Sequence, residues 1–343
     1  MGLNRPYFRI IAFFTGLLLI CGVFLATGVT YYLVRPGETD AADQVFCVRE
    51  GMSLKDVVGE LERDQLITGK QLFLLCARLM GYSKKIKAGE YRLNPDMSPI
   101  KILDRLGSGA IITHAVTIPE GFTREQIGGL LARKGLVNAD EFRALTSDPD
   151  AAKRYGVSGP DLEGYLYPDT YQLSRGLSTA KIVDIMVGRF FEVYKPLHEQ
   201  AEAVGMTMEK VVTLASIVEK ETGCASERPI IASVFLNRLR KRMRLESDPT
   251  VIYGLRDFDG NIKKKHLSQR TPYNTYVIRG LPPGPIASPG FEALKAVLFP
   301  AKTNYLYFVS KNDGTHFFSK TYAEHSKAVR RYQKNRRRAK RAS

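Results

Sequence analysis

The sequence predicts an α+β chain: an N-terminal transmembrane helix, a region of small α+β units, then a mainly helical domain with a C-terminal β-hairpin. Three observations predict this. Ile10 to Val34 runs 25 residues without a charge. Two segments offset by 70 residues repeat one strand-turn-helix pattern. Beyond residue 155, helical periodicity dominates until Asn312-Asp313-Gly314, which sits between two β-rich runs. With 343 residues, 44% of them hydrophobic, the chain has material for two or three domains.

At 1.5 Å per residue the uncharged run makes about 37 Å of helix, enough to cross a hydrocarbon core of about 30 Å. Arg5 and Arg9 precede it; Arg35 follows but is offset by Glu38, Asp40 and Asp43. The bias predicts a cytoplasmic N-terminus and an extracytoplasmic body, hence a single-pass protein of the cell (inner) membrane. The run is long for a cleaved signal peptide, and no convincing small-x-small cleavage site follows it, so a retained anchor is expected. Gly37 to Gln44 reads as a polar linker.

In the repeat, Val48-Arg49-Glu50-Gly51-Met52-Ser53 matches Ile118-Pro119-Glu120-Gly121-Phe122-Thr123. Val57 then matches Ile127, Leu61 matches Leu131, and Leu66-Ile67 match Leu136-Val137. Each copy predicts a strand, a turn at Glu-Gly, a Ser or Thr cap, an amphipathic helix, and a further helix from near Lys70 or Ala139. The first copy adds a strand over Ala88 to Leu93 and a helix over Ser98 to Leu106. Such units resemble LysM-type peptidoglycan-binding modules, a pattern that many small α+β folds share.

After Tyr155 the segment Leu162-Glu163-Gly164-Tyr165-Leu166-Tyr167-Pro168-Asp169-Thr170-Tyr171 is dense in aromatics and acids. Its tyrosines read equally well as sugar platforms and as core-rim residues. Thr179 to Ala203 predicts a long helix bent near Pro196. The stretch Val211 to Gly223 predicts a helix with a broad apolar face, ended by Gly223 in a left-handed cap. Glu219 and Glu221 fall on opposite edges of that face, about 160° apart, and should not share a cleft. Lys220 points to solvent. Partial burial of a carboxyl group at such an edge disfavours its charged form, which suits a general acid. The structural alternative is a glutamate paired with a lysine or arginine.

Downstream, Ser226 to Leu239 predicts a helix. Asp248-Pro249-Thr250 predicts another, with Asp248 as its cap. Gly280 to Ile286 and Ser288-Pro289-Gly290 predict a stiff, extended wall. Tyr305 to Val309 and Thr315 to Phe318 predict the hairpin, and Thr321 to Tyr332 a last helix.

The five histidines, at 114, 198, 266, 316 and 325, are scattered without helix-face metal spacing, so neither a metal nor a cofactor is expected. The four cysteines imply no disulfide framework, and a Cys47–Cys76 bond is left open. Nine basic residues lie between Lys327 and Arg341, and without them the net charge falls from +16 to +7. A tail of this kind can bind nucleic acid, but the anchor places it outside the cytoplasm, so no nucleic-acid partner is expected.

At this point the chain resembles the MltG (YceG-like) endolytic murein transglycosylases. The resemblance is carried by Glu163 to Tyr171, Leu214 to Thr222, Ala232 to Leu239, Ser247 to Gly254, Tyr273 to Tyr276, Gly280 to Ile286 and Pro300 to Phe308. These motifs run in order over about 160 residues, and the anchor and LysM-like region fit as well; the arginine-rich end departs from the family pattern. The resemblance implies a lyase that cleaves the MurNAc–GlcNAc bond within peptidoglycan strands, without water, leaving 1,6-anhydro-MurNAc ends. It assigns the catalytic role to the first acid of Val218-Glu219-Lys220-Glu221-Thr222, which is Glu219.

Softer candidates for substrate contact are Ser216, one turn before Glu219, with Asn237, Asp248, Thr250, Tyr253, Tyr273, Asn274, Tyr276 and Glu163. Each also reads as a cap, turn residue, buried hydrogen-bonder or salt-bridge partner. The expected boundaries are a cytoplasmic N-terminus at 1–9, anchor at 10–34 and linker at 35–44. A LysM-like unit follows at 45–112, a second related unit at 113–154, the catalytic domain at 155–326 and the basic tail at 327–343. Peptidoglycan is the expected partner; membrane peptidoglycan synthases follow from location alone, as does a role in limiting nascent strand length. The alternatives are a non-catalytic, membrane-anchored peptidoglycan-binding scaffold and a hydrolase that uses the same glutamate with water.

Overall fold

The computed structural model describes residues 5–37, 42–255 and 258–334. The basic tail expected from 327 falls outside the described residues beyond 334. A mainly helical chain carries three two-stranded sheets among the described residues. It divides into two compact units, Met1–His114 with Leu173–Ser178, and Ala115–Gln172 with Thr179–Ser343.

The first unit opens with α1 (Arg5–Val34). Its stretch Tyr7–Val34 has a mean hydropathy of 2.5 and is long and apolar enough to cross a membrane. Hydroxyls that would otherwise need water are satisfied internally: Thr15 bonds the Ile11 carbonyl at 2.9 Å, Thr27 that of Val23 and Thr30 that of Ala26, both at 2.8 Å.

Next come β1 (Gln44–Val48), α2 (Leu54–Arg63), α3 (Lys70–Leu79), β2 (Gly89–Leu93) and α4 (Pro99–Ser108). β1 and β2 pair antiparallel, from Gln44 opposite Leu93 to Val48 opposite Gly89. The sheet packs Phe46, Val48, Tyr91 and Leu93 onto Val57, Val58, Leu61, Phe73, Ile102, Leu103 and Leu106. Ser53 caps α2 in a reciprocal box: its hydroxyl accepts from the Asp56 N–H, while the Asp56 carboxylate accepts from the Ser53 N–H at 3.0 Å. Cys47 and Cys76 are free thiols.

The second unit begins with the other copy of the repeat. β3 (His114–Thr117) pairs with β4 (Thr170–Leu173). Between them lie α5 (Arg124–Arg133), α6 (Ala139–Ser147) and α7 (Pro149–Arg154). Thr123 and Gln126 form the same capping box at α5, and Asn138 caps α6. The shared Ser/Thr signal thus starts α2 and α5 by one mechanism.

The helical body follows: α8 (Thr179–Tyr194), α9 (His198–Ala203), α10 (Met208–Glu221), α11 (Arg228–Arg240), α12 (Asp248–Tyr253), α13 (Lys264–Ser268) and α14 (Phe291–Leu298). The bend near Pro196 is a 3₁₀ turn over Lys195–Leu197, since proline removes a helical N–H. β5 (Tyr307–Ser310) and β6 (His316–Ser319) form the hairpin, with Tyr307 opposite Ser319, before α15 (Tyr322–Val329).

Two local expectations are corrected and one open alternative is decided. α10 does not end in a left-handed glycine. It stops at Glu221, and Thr222 turns extended at φ −147°, ψ 136°. The cap of α12 is Ser247 rather than Asp248, whose carboxylate accepts from the Tyr276 hydroxyl instead. Tyr165, Tyr167 and Tyr171 are all buried, so they are core residues and not exposed sugar platforms.

Candidate active site

α10 is the central helix of the second unit. All eight residues from Val211 to Val218 are buried, so the helix is enclosed on every side rather than on one face. Enclosure of this kind requires internal partners for any polar group. Ser216 has them: its hydroxyl donates to the Thr213 carbonyl (2.7 Å) and accepts the Ile286 N–H (3.0 Å). Ser216 therefore ties α10 to the proline-rich wall.

Glu219 comes one turn later, where the helix leaves the core. Its side chain is only 6% exposed. Arg228, at the start of α11, places Nη2 2.9 Å from Oε1. The Gly290 N–H, at the end of the wall, donates to Oε2 at 3.1 Å. Both carboxylate oxygens thus have a donor, one from a side chain and the other from backbone. The arginine pairing that the structural alternative anticipates is present.

A second carboxylate stands beside this group, and sequence reasoning missed it. Glu120 Oε2 lies 3.4 Å from the same Arg228 Nη2. Partial burial pushes the Glu120 carboxyl above its usual range, as does the charge of Glu219, while Arg228 opposes the shift. The only sequence signal was the Glu-Gly turn of the repeat, which reads as turn chemistry. The Glu120 carboxylate occupies the space beside Gly290, where a Cβ would fall 1.8 Å from Glu120 Oε1. Paired backbone bonds set this approach. Gly121 N–H donates to the Ser288 carbonyl and Ser288 N–H to that of Phe122, both at 2.8 Å. Lys220, although exposed, donates Nζ to the Gly121 carbonyl (3.1 Å).

Glu221 is separate from this group, as the wheel predicts. It accepts from Ser247 Oγ at 2.5 Å, and burial raises it to about 7. Glu163 is 1% exposed. It accepts the Arg124 backbone N–H (3.0 Å) and the Tyr253 hydroxyl (3.1 Å). Burial, then the charge of Asp161, pushes it up to about 7 against those donors. The guanidinium of Arg124 pairs with Asp161 at 3.5 Å, and its charge also opposes the rise of Glu163.

Tyr253 packs against Tyr273 with ring centroids 4.7 Å apart. Tyr276 donates to Asp248 at 2.7 Å. The remaining candidates are buried hydrogen-bonders. Thr250 bonds the Ser247 carbonyl and the Thr275 hydroxyl. Asn237 donates to the carbonyls of Thr303 and Tyr305, both at 2.9 Å. Asn274 donates to those of His266, Leu267 and Gln269. A cavity of about 820 Å³ is lined by Gly254, Lys265, Gln269, Arg270 and Pro272, among others, but not by Glu219. No group of three or more metal-ligating side chains occurs among the described residues.

Chemically, Glu219 is one carboxylate at a helix end, shielded from water and oriented at both oxygens. A carboxyl group so held can give and take a proton in turn. Comparison with known proteins gives the family. Residues 46–331 match the YceG-like family. The endolytic murein transglycosylase of Bacillus subtilis is 32% identical over 320 residues, 88% of each chain. That of Streptococcus pneumoniae D39 is 27% identical over 82% of this chain and 57% of its own. A crystal structure of a YceG-like protein from Listeria monocytogenes superposes with a TM-score of 0.58 at 33% identity, covering 83% of this chain and 98% of that one. The chain belongs to the YceG-like family.

Proposed function

We propose that this protein is an endolytic murein transglycosylase, a lyase that cleaves the MurNAc–GlcNAc bond inside peptidoglycan strands, with Glu219 as its acid and base. The observation that carries the assignment of Glu219 is its placement. It is the carboxylate of the enclosed helix held by both Arg228 and the Gly290 N–H.

Protonated Glu219 gives its proton to the glycosidic oxygen as the C1–O bond breaks. The resulting carboxylate takes the proton of the MurNAc C6 hydroxyl while O6 bonds to C1. The intramolecular attack gains from proximity and closes the 1,6-anhydro ring without water. One carboxylate serves both steps, so the paired carboxylates of ordinary glycosidases are not needed. The Gly290 N–H keeps Oε2 in register throughout.

The first unit is read as a LysM-like glycan-binding region, and α1 as a single-pass anchor with the catalytic unit outside the cytoplasm. An enzyme so held meets newly made glycan, where cutting limits strand length and membrane synthases are neighbours. The proposed boundaries remain those set out from the sequence.

Mass spectrometry of purified glycan digested by the full-length protein tests the function. Internal fragments ending in anhydro-MurNAc are expected from the native chain and none from Glu219→Gln. Reducing ends would make it a hydrolase, and equal activity of the variant would remove Glu219 from the chemistry.

A further inference from the structure

A general acid needs a proton on an oxygen that faces the substrate, yet both oxygens of Glu219 already accept hydrogen bonds. The Gly290 donor is backbone and cannot retreat. Arg228 is a side chain, and a second acceptor lies within reach, Glu120 Oε2, 3.4 Å from the same Nη2. The Arg228 side chain is 11% exposed, whereas that of Glu120 is 47% exposed. The Nε of Arg228 has no hydrogen-bond partner among the described residues. A guanidinium that is buried but incompletely satisfied is held by charge more than by a full set of bonds.

We propose that Arg228 is a positioning residue shared between two carboxylates, and that Glu120 is the one that takes it while Glu219 holds the proton. This rests on the reading of Glu219 as acid and base. In the first step Arg228 sits on Glu120, and the protonated carboxyl of Glu219 faces the glycosidic oxygen. When the proton leaves with the C1–O bond, Glu219 becomes anionic and Arg228 returns to it. When the C6 hydroxyl delivers its proton, Arg228 passes back to Glu120. No proton is exchanged with Arg228, and the net charge of the three side chains changes only with the proton on Glu219.

Other charges face this group. Glu292 on α14 acts on Glu120, and Tyr167 also lies within the field of Glu120. Lys220 reaches the turn through the Gly121 carbonyl. They are common to all variants below.

The test measures turnover against pH for the full-length protein and its Glu120→Gln and Arg228→Lys forms, with anhydro ends as readout. Loss of the Glu120 charge strands Arg228 on Glu219, so the alkaline limb of activity should move to lower pH, by about one unit or more. Arg228→Lys keeps the charge but not the fork, so its limb should stay near the native one while the rate falls. A carboxyl titration of glutamate-labelled protein, with Glu219 identified by its absence in Glu219→Gln, gives the same answer without turnover. Its midpoint should fall in Glu120→Gln. Should that variant lose its circular dichroism spectrum, Glu120→Asp is read instead, with a smaller shift in the same direction. A limb and midpoint unmoved by loss of Glu120 would overturn the sharing. Absence of cleavage by the native protein, with the midpoint still shifted, would overturn the catalytic reading and leave the coupling standing.

Discussion

Gly290 donates its backbone N–H to Glu219 Oε2 at 3.1 Å, from 71 residues further along the chain. What depends on glycine there is the close approach of Glu120. The backbone there, at φ −78°, ψ 172°, suits any residue, but the space a Cβ would occupy is filled by the Glu120 carboxylate.

Gly290→Ala should therefore fold with little loss of stability, because the obstructing atoms end a flexible side chain that can swing aside. Its alkaline activity limb should move in the same direction as that of Glu120→Gln, since both take Glu120 away from Arg228. A native pH profile in Gly290→Ala would show that the approach of Glu120 has no consequence.

Ser216→Ala removes the acceptor of the buried Ile286 N–H and leaves that donor unpaired. A lost partner of this kind costs about 1–3 kcal/mol. Thermal denaturation should show a clear fall in Tm, together with slower cleavage as the wall loosens. A change in Tm within error would mean that water or a shifted backbone replaces the hydroxyl.

Burial pushes the Glu163 carboxyl up to about 7, above the ordinary 4.5 of a glutamate. A carboxyl group raised by folding contributes stability that is fully present below its unfolded value and lost as pH rises through its folded value. Glu163→Gln does not titrate. Its Tm relative to the native protein should therefore be more favourable at pH 8 than at pH 5. Glu221, raised in the same way, predicts the same sign for Glu221→Gln. Calorimetry at the two pH values checks both, and an equal difference at both pH values would count against the burial of these carboxyls.

Asn274→Ala frees three carbonyls, at His266, Leu267 and Gln269, that its amide gathers. Amide exchange over 264–270 should accelerate more than exchange in α10, because the bonds lost are local to that loop. Uniform acceleration would place Asn274 in the global fold instead.

Much of the fold was legible. The Ser53 and Thr123 caps, the bend at Pro196 and the Asn-Asp-Gly hairpin rest on interactions within a few residues, and each appears where the pattern put it. The end of α10 was misread for the same reason. Gly223 is a sound local stop, but Thr222 leaves the helix first and bonds the Cys224 N–H. The tyrosines at 165, 167 and 171 could have faced either way, because an aromatic ring with a polar tip suits core and surface alike.

The sequence by itself determined an apolar helix of membrane-spanning length, the repeat with its capped helices, and Glu219 apart from Glu221, because helical periodicity and capping are properties of neighbours. Only the tertiary structure decided what stands around Glu219. Arg228, Glu120 and Gly290 come from three separate segments, and no period in the chain links them. Their meeting is set by the burial of α10 and by the paired backbone bonds between Gly121, Phe122 and Ser288, which are long-range in sequence. A carboxylate's place on a helix can be read from spacing; the charge and the donor that face it follow from packing.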